Sequence, residues 1–245
     1  MQTLLILGSS PHAPAAALWP RATFDHILTI NNSWRIRSDW DACIFPWDFP
    51  PDRHPTPAPC QRLVTEDAFV PVQNSLGGFV YAGGTMAFTA GYWALGTHAP
   101  GVIAMFGCDM TYPKQGATAF YGASSPDPLR DDITLRSLEG KCARLMVLAA
   151  QRGTAMVNLS DKPSRLIFPR ATRAHLSSCR PLPFDPIATA EAQALESSLR
   201  YHVASGRYWD DVTRFDTAEI DALDALWLRA ATPRITPRIM ARKSR

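Results

Sequence analysis

The sequence contains few charged residues and no cysteine pattern typical of a metal or disulfide framework. Charged side chains make up 19% of its 245 residues and the formal net charge is +3, which argues against a nucleic-acid-binding protein. The five cysteines are Cys43, Cys60, Cys108, Cys142 and Cys179. They form no CxxC pair and no Cys/His cluster with zinc-ligand spacing, so we expect free thiols, no structural metal and a reducing compartment.

Long apolar runs and an export signal are also missing. No stretch reaches the roughly 18 apolar residues that a membrane-spanning helix requires. The first residues lack the basic segment and the cleavage site of a signal peptide. These absences predict a cytoplasmic protein without a transmembrane segment.

Short apolar runs bounded by turn-forming residues predict β-strands at 3–7, 26–30, 42–45, 70–72, 101–106 and 154–157. Runs that do not alternate with polar residues are typical of strands buried on both faces, as in a parallel sheet. Helices are predicted at 85–95, ending at Gly96, and at about 132–151. The pattern predicts an α/β fold with a Rossmann-like, doubly wound and mostly parallel sheet.

The remaining segments suggest how the chain is divided. The proline-rich stretches 49–60 and 161–186 predict irregular structure. Helices are expected at about 188–203 and at 217–230, the second opened by a capping pattern of Asp216 and Glu219. We therefore expect a nucleotide-binding domain at 1–170, a small helical appendage at 187–231 and a flexible basic tail at 232–245.

Polar motifs follow the first two predicted strands, where ligands bind in open parallel sheets. Gly8, Ser9 and Ser10 form a turn whose N–H groups can cradle a phosphate, although an ordinary strand-to-helix turn has the same composition. Asn31 and Asn32 offer amide groups that can read a base or a ribose, although asparagine is also common in turns.

A second pair of motifs lies around the predicted helix 85–95. Gly83, Gly84 and Thr85 precede this helix. Glycine lets a ligand approach the backbone and the helix N-terminus favours anions, while a packed glycine turn is the alternative. Asp109 ends the fifth run and suits a ribose hydroxyl, a metal ion or a turn cap.

Two further groups complete the candidate site. Tyr112 and Tyr121 lie in the loop after Asp109 and can donate to a phosphate leaving group. His12, just past the first turn, is within reach of the same edge. Arg130 can pair a phosphate, whereas Asp131 or Asp132 suits the N-cap of the next helix.

These motifs, in this order, resemble the bacterial sialyltransferases of glycosyltransferase family 42. They also resemble the related domain of motility accessory factors and of 6-hydroxymethylpterin diphosphokinases. The resemblance covers roughly residues 4–169. It implies donor contacts from the first turn, a nucleotide contact from Asn31, a glycine-rich turn before the central helix, a strand ending in Gly107-Cys108-Asp109, and phosphate contacts from Tyr112 and Tyr121.

The sequence departs from this family at two points. The loop 121–128, where the sialyltransferases carry a general-base histidine, contains none. A base is needed to deprotonate an acceptor hydroxyl, so Asp127, Asp109 or His12 would take its place, or the reaction differs. In addition, Ser9 stands where a donor-contacting asparagine is expected.

Three functions follow as hypotheses. The first is a glycosyltransferase that needs no cofactor and moves a sugar, for example a nonulosonic acid, from a nucleotide-activated donor to a glycan or protein; a CMP-sugar is favoured. The second is an ATP-dependent diphosphokinase, in which Asp109 with Asp131 or Asp132 would hold Mg²⁺.

The third is a non-catalytic nucleotide-binding or scaffold protein. In it, Trp209, Trp227 and the stripe of Ile220 and Leu223 would form a partner surface. Docking of that stripe onto the core is the alternative. The sequence leaves homo-oligomerisation open.

Overall fold

The computed structural model describes residues 1–112, 116–122 and 131–232. Its parallel sheet has the strand order β4-β3-β2-β1-β5-β6. The strands are β1 Thr3–Leu7, β2 His26–Ile30, β3 Ala42–Ile44, β4 Arg62–Val64, β5 Val102–Phe106 and β6 Ala155–Asn158. The α/β, Rossmann-like fold expected from the sequence is confirmed.

Helical segments connect these strands and follow the last one. The α-helices are α1 Glu66–Asn74, α2 Phe79–Ala82, α3 Met86–His98, α4 Leu138–Gln151, α5 Pro186–Leu199 and α6 Thr217–Ala230. Short 3-10 helices lie at Ala13–Leu18, Arg21–Thr23, Asn31–Ile36, Pro51–Arg53, Ile133–Leu135, Arg173–Ser178 and Tyr208–Arg214. Within the described part of the chain, no helix is long and apolar enough to cross a bilayer.

Successive side chains of each strand point to opposite faces of the sheet, and both faces are covered. Leu4 and Ile6 of β1 belong to a core shared with the α-helices. Leu5 and Leu7 belong to a second core, which the 3-10 helices Ala13–Leu18 and Arg173–Ser178 help to close. Burial on both faces explains why the strands read as continuous apolar runs.

The predicted strand at 70–72 is wrong. These residues lie inside α1, which begins after Thr65 and carries Glu66 and Asp67 in its first turn, where acidic residues favour the helix dipole. Pro71 lies inside this helix, and because proline is unfavourable in a helix interior, the sequence did not indicate a helix here. The fourth strand is instead the three-residue edge strand β4, and it pairs with β3.

The predicted helix end at Gly96 is also wrong. The helix continues to His98 and ends at Ala99, which has a left-handed φ of 43°. A Cβ at Gly96 would collide with Val72 of α1. This glycine therefore allows two helices to approach each other and does not terminate α3.

Two predicted helix starts are shifted, and one helix is placed correctly. The segment predicted to begin at about 132 first forms a 3-10 turn capped by Asp132, and α4 begins after the Ser137 cap. The helix expected at 188–203 begins at Pro186, after the Asp185 cap. Helix α6 has the predicted bounds, and the Asp216 side chain accepts a hydrogen bond from the N–H of Ala218.

The C-terminal helices pack on the core. Ile220, Leu223 and Trp227 are completely buried in the cluster that contains α3 and α4. This apolar stripe is therefore docked, and it is not available as a partner surface. Of the basic segment 232–245, only Thr232 lies within the described residues.

The path of the chain defines where a ligand site is expected. From β1 the chain moves outward through β2, β3 and β4, and then crosses to β5 on the other side of β1. The crevice at the carboxyl ends of β1 and β5 is the topological switch point, at which open α/β sheets bind ligands.

Candidate functional site

The turn after β1 packs tightly against the end of β5. The N–H of Gly8 donates to the Phe106 carbonyl at 2.8 Å, and the N–H of Ser10 donates to the Gly107 carbonyl at 3.0 Å. A Cβ at Gly8 would collide with the Gly107 carbonyl oxygen, so glycine is required for this close approach. Because two of its N–H groups bond to β5 and the following turn, the Gly8–Ser10 turn is a weaker phosphate cradle than expected.

The same turn brings His12 into a polar cluster formed by three strand ends. His12 Nε2 lies 3.1 Å from Asp109 Oδ2, beyond β5, and 3.2 Å from Ser160 Oγ, beyond β6. The Ser10 hydroxyl lies 3.1 Å from His12 Nδ1. The ring packs edge-on against Phe106 and the side chain is 23% exposed. A histidine beside a carboxylate and open to solvent is suited to proton transfer.

Asp109 is the most constrained member of this cluster. Its side chain is 4% exposed, and neither carboxylate oxygen receives an aligned hydrogen bond from the described residues. The 3.1 Å approach of His12 is close enough for ion pairing but does not meet hydrogen-bond geometry. A buried carboxylate in this state is able to accept a hydrogen bond from a ligand donor.

The loop after β6 fixes the backbone around Asp109. The Asp109 carbonyl accepts a hydrogen bond from the N–H of Arg165 at 2.9 Å, and the Arg165 guanidinium contacts both Glu139 carboxylate oxygens at 2.8 Å. Met110, the next residue, has a left-handed φ of 52°. Such strain in a non-glycine residue is concentrated at functional sites.

Asn31, Asn32 and Ser33 form a second polar group at the end of β2. Asn31 also has a left-handed φ, 51°. The Oδ1 atoms of Asn31 and Asn32 and the Ser33 hydroxyl are buried without a hydrogen-bond partner from the described residues. Each unsatisfied buried acceptor costs about 1–3 kcal/mol, so three adjacent ones favour a site that a ligand completes.

Other side chains of the protein pack against the glycine turn at the start of α3. The N–H of Gly84 donates to Thr134 Oγ1 at 2.8 Å, and a Cβ there would overlap the Tyr208 hydroxyl. A Cβ at Gly83 would press on Phe88 and Lys141. Thr85 caps α3 by accepting from the N–H of Phe88 at 3.3 Å. These contacts account for both glycines by packing.

The two candidate tyrosines differ in how exposed they are. Tyr112 is partly buried against the core, whereas Tyr121 is 41% exposed. The turn that carries Tyr121 is attached to the first turn because the N–H of Phe120 donates to the Ser9 carbonyl at 3.0 Å. Asp127 lies outside the described residues.

The expected magnesium ligands are not assembled around Asp109. Asp132 Oδ1 accepts from the N–H and the hydroxyl of Thr134 at 2.8 and 2.7 Å, and Oδ2 accepts from the Tyr208 hydroxyl at 2.7 Å. Within the described ranges, no group of three His, Cys, Asp or Glu side chains could hold a metal ion. The carboxylate of Asp132 acts as a cap, so it fits a Mg²⁺ ligand poorly.

The thiol nearest the site is inert. Burial raises the pKa of Cys108 far above its ordinary value, so the thiol stays protonated and is a poor nucleophile. All five cysteines lie within the described residues and are free, as expected.

Two cavities lie away from these strand ends. One, of about 750 Å³, lies over the buried pair of Arg144 and Glu196. The other, of about 430 Å³, lies near His26 and His98 at the start of β2 and the end of α3. We assign the candidate site to the strand ends. Among the described residues, the unsatisfied polar atoms of Asn31, Asn32, Ser33 and Asp109 occur there, and the left-handed residues Asn31 and Met110 lie with them.

The fold and this geometry define a Rossmann-like α/β domain with a histidine–carboxylate site at the topological switch point. No protein-family model, curated protein or solved structure matches the chain. The sequence made His12 a candidate for the general base, whereas it assigned no role to Ser160. The proximity of His12 to the first turn was the available signal, while the role of Ser160 depends on the pairing of β5 with β6.

Proposed function

We propose that the protein is a glycosyltransferase that binds a nucleotide-activated sugar at the carboxyl ends of β1, β2 and β5. The main observation is a pair of buried acceptors, Asn31 Oδ1 and Asn32 Oδ1, that receive no hydrogen bond from the described residues. They lie at the end of β2, which is beside β1, and β1 leads to His12. These oxygens need N–H or O–H donors, and a nucleobase amine or a ribose hydroxyl supplies them. A CMP-linked donor is the first choice because of the sequence resemblance.

The geometry favours His12 as the general base, in place of the family histidine that this sequence lacks. In the reaction, the acceptor hydroxyl loses its proton to the imidazole, and its oxygen forms the new bond to the anomeric carbon. The bond from that carbon to the phosphate oxygen breaks, and the nucleotide leaves with the electron pair. The Asp109 carboxylate, 3.1 Å from Nε2, stabilises the imidazolium that forms.

The exposed Tyr121 hydroxyl is placed on the turn attached to Ser9 and is suited to donate to the departing phosphate. Hydrogen bonds aimed at developing charge typically account for a large part of catalysis. The diphosphokinase ranks second. Neither Asp109 carboxylate oxygen receives an aligned hydrogen bond from the described residues, but Asp132 already accepts three.

Nucleotide binding provides the first test. We would measure the thermal shift with CMP, CDP, UDP, GDP and ATP, each with and without Mg²⁺, because a ligand of the folded state raises the melting temperature. A metal-independent shift with CMP is expected. A shift only with ATP and Mg²⁺ would move the assignment to the diphosphokinase, and no shift at all would remove the proposal.

Two variants connect the binding to the site. Asn31→Gly allows the left-handed backbone and removes the carboxamide side chain, so it should weaken CMP binding without unfolding the protein. His12→Gln should retain CMP binding but lower turnover by roughly 10²–10⁴-fold, the usual contribution of a general base. His175→Gln, at an exposed histidine, is the matched control. Unchanged CMP affinity in Asn31→Gly would show that the site is misplaced.

A further inference from the structure

Two tryptophans have large fractions of their side chains in solvent. Trp47 is 62% exposed and Trp209 is 42% exposed, whereas Trp227 is fully buried. An exposed indole leaves apolar area in water, and clustered exposed aromatics mark binding surfaces. The two side chains therefore need an explanation other than folding.

Both tryptophans lie at the carboxyl edge of the sheet. Trp47 is three residues beyond the end of β3. Trp209 follows Tyr208, whose hydroxyl bonds to Asp132 and contacts the glycine turn before α3. Strand β3 is separated from β1 by β2 alone, and neighbouring strands lie about 4.8 Å apart. The strands that lead to Trp47 and to His12 are therefore about two strand spacings apart.

The guanidinium of Arg207 lies close to both tryptophan rings. Its guanidinium carbon lies 6.0 Å from the Trp47 ring centroid and 5.7 Å from that of Trp209. The guanidinium also contacts Asp210 Oδ2 at 2.9 Å. The ion pair balances the charge of Arg207 while offering donors and acceptors side by side. We call Trp47, Arg207, Trp209 and Asp210 the tryptophan cluster.

We propose that the tryptophan cluster binds a neutral pyranose ring of the acceptor glycan. The apolar C–H face of such a ring packs against an indole, and its neighbouring hydroxyls need both donors and acceptors. An anionic sugar is disfavoured because Asp210 neutralises Arg207 and the exposed Asp48 adjoins Trp47. This inference rests on the proposed transferase function and specifies its acceptor class.

Saturation-transfer NMR on the full chain tests the proposal. The probes are the neutral disaccharides lactose, cellobiose, maltose and N-acetyllactosamine, with sialyllactose as the acidic comparison. We expect saturation of C–H protons on one ring face for at least one neutral probe, and a loss of at least tenfold in affinity in both Trp47→Ala and Trp209→Ala. Ile187→Ala, at an exposed apolar residue of α5, is the matched control and should bind normally.

Parallel CMP titrations separate the two proposals. Both tryptophan variants should bind CMP with unchanged affinity. A loss of CMP affinity would assign the cluster to the nucleobase and overturn the acceptor proposal. The acceptor proposal is also overturned if no neutral probe binds, if sialyllactose binds best, or if the variants bind sugars normally. Absence of CMP binding to the unmodified protein contradicts the transferase itself, independently of the sugar result.

Discussion

Lys141 and Asp224 form an ion pair enclosed within the protein: Nζ lies 2.9 Å from Oδ1, and the side chains are 0% and 3% exposed. Lys141 belongs to α4 and Asp224 to α6, so the pair attaches the C-terminal helix to the helical core. The ammonium also donates to the Val80 carbonyl at 3.3 Å. Burial raises the pKa of Asp224 despite the neighbouring Lys141, which indicates how unfavourable the buried carboxylate is.

Removing one member of this pair should be strongly destabilising. Asp224→Ala leaves a buried ammonium without its counter-charge, which typically costs about 3–5 kcal/mol. The double variant Lys141→Met with Asp224→Leu removes both charges and should be much closer to the original stability. Urea denaturation measures each free energy of unfolding. A double variant as unstable as Asp224→Ala would mean that the pair itself stabilises the fold.

Gly84 and Tyr208 form a contact that couples α3 to the segment before α6. Gly84→Ala should destabilise the protein because the new Cβ would overlap the Tyr208 hydroxyl, while the backbone of Gly84 does not require glycine. Tyr208→Phe removes that hydroxyl and its bond to Asp132, at a cost of about 1 kcal/mol. We expect the double variant to be more stable than the sum of the single effects predicts, as for residues in contact.

The matched control for this cycle is Gly153→Ala, where a Cβ meets no neighbouring atom but φ is 76°. Its cost comes from the backbone alone, so Tyr208→Phe should not change it. Thermal unfolding of the four Gly84/Tyr208 proteins and of the Gly153 variants provides the comparison. Additive effects at Gly84 and Tyr208 would show that the overlap relaxes elsewhere.

The sequence predicted features that depend on neighbouring residues and missed those that depend on residues distant in the chain. Strands β1 and β2 and helix α6 were placed at their observed bounds, because apolar patterning and the Asp216 cap are local signals. Gly84 was not predictable in the same way, since its partner Tyr208 is distant in sequence. The same reason applies to Ser160, which reaches His12 only because β6 pairs with β5.

The Glu139–Arg165 ion pair provides a pH-dependent test of the loop that borders Asp109. The hydrogen bond from Arg165 lowers the pKa of Glu139 below its ordinary value of 4.5. Between the lowered folded-state pKa and pH 4.5, the unfolded chain therefore binds more protons than the folded protein. The stabilisation is present above pH 4.5 and is lost as the pH falls through the lower folded-state pKa. Both side chains are more than one third exposed, so we expect a global effect below about 1 kcal/mol.

The local effect should be clearer than the global one. Glu139→Gln should speed hydrogen exchange of the Arg165 amide, which bonds to the Asp109 carbonyl, and should remove the acid-dependent part of that exchange. Glu219→Gln is the control because Glu219 occupies the first turn of α6, as Glu139 does in α4. It should reproduce any loss of the helix-dipole interaction while leaving the Arg165 amide protected. Equal protection of that amide in Glu139→Gln and in the unmodified protein at neutral pH would show that the ion pair does not hold the loop over Asp109.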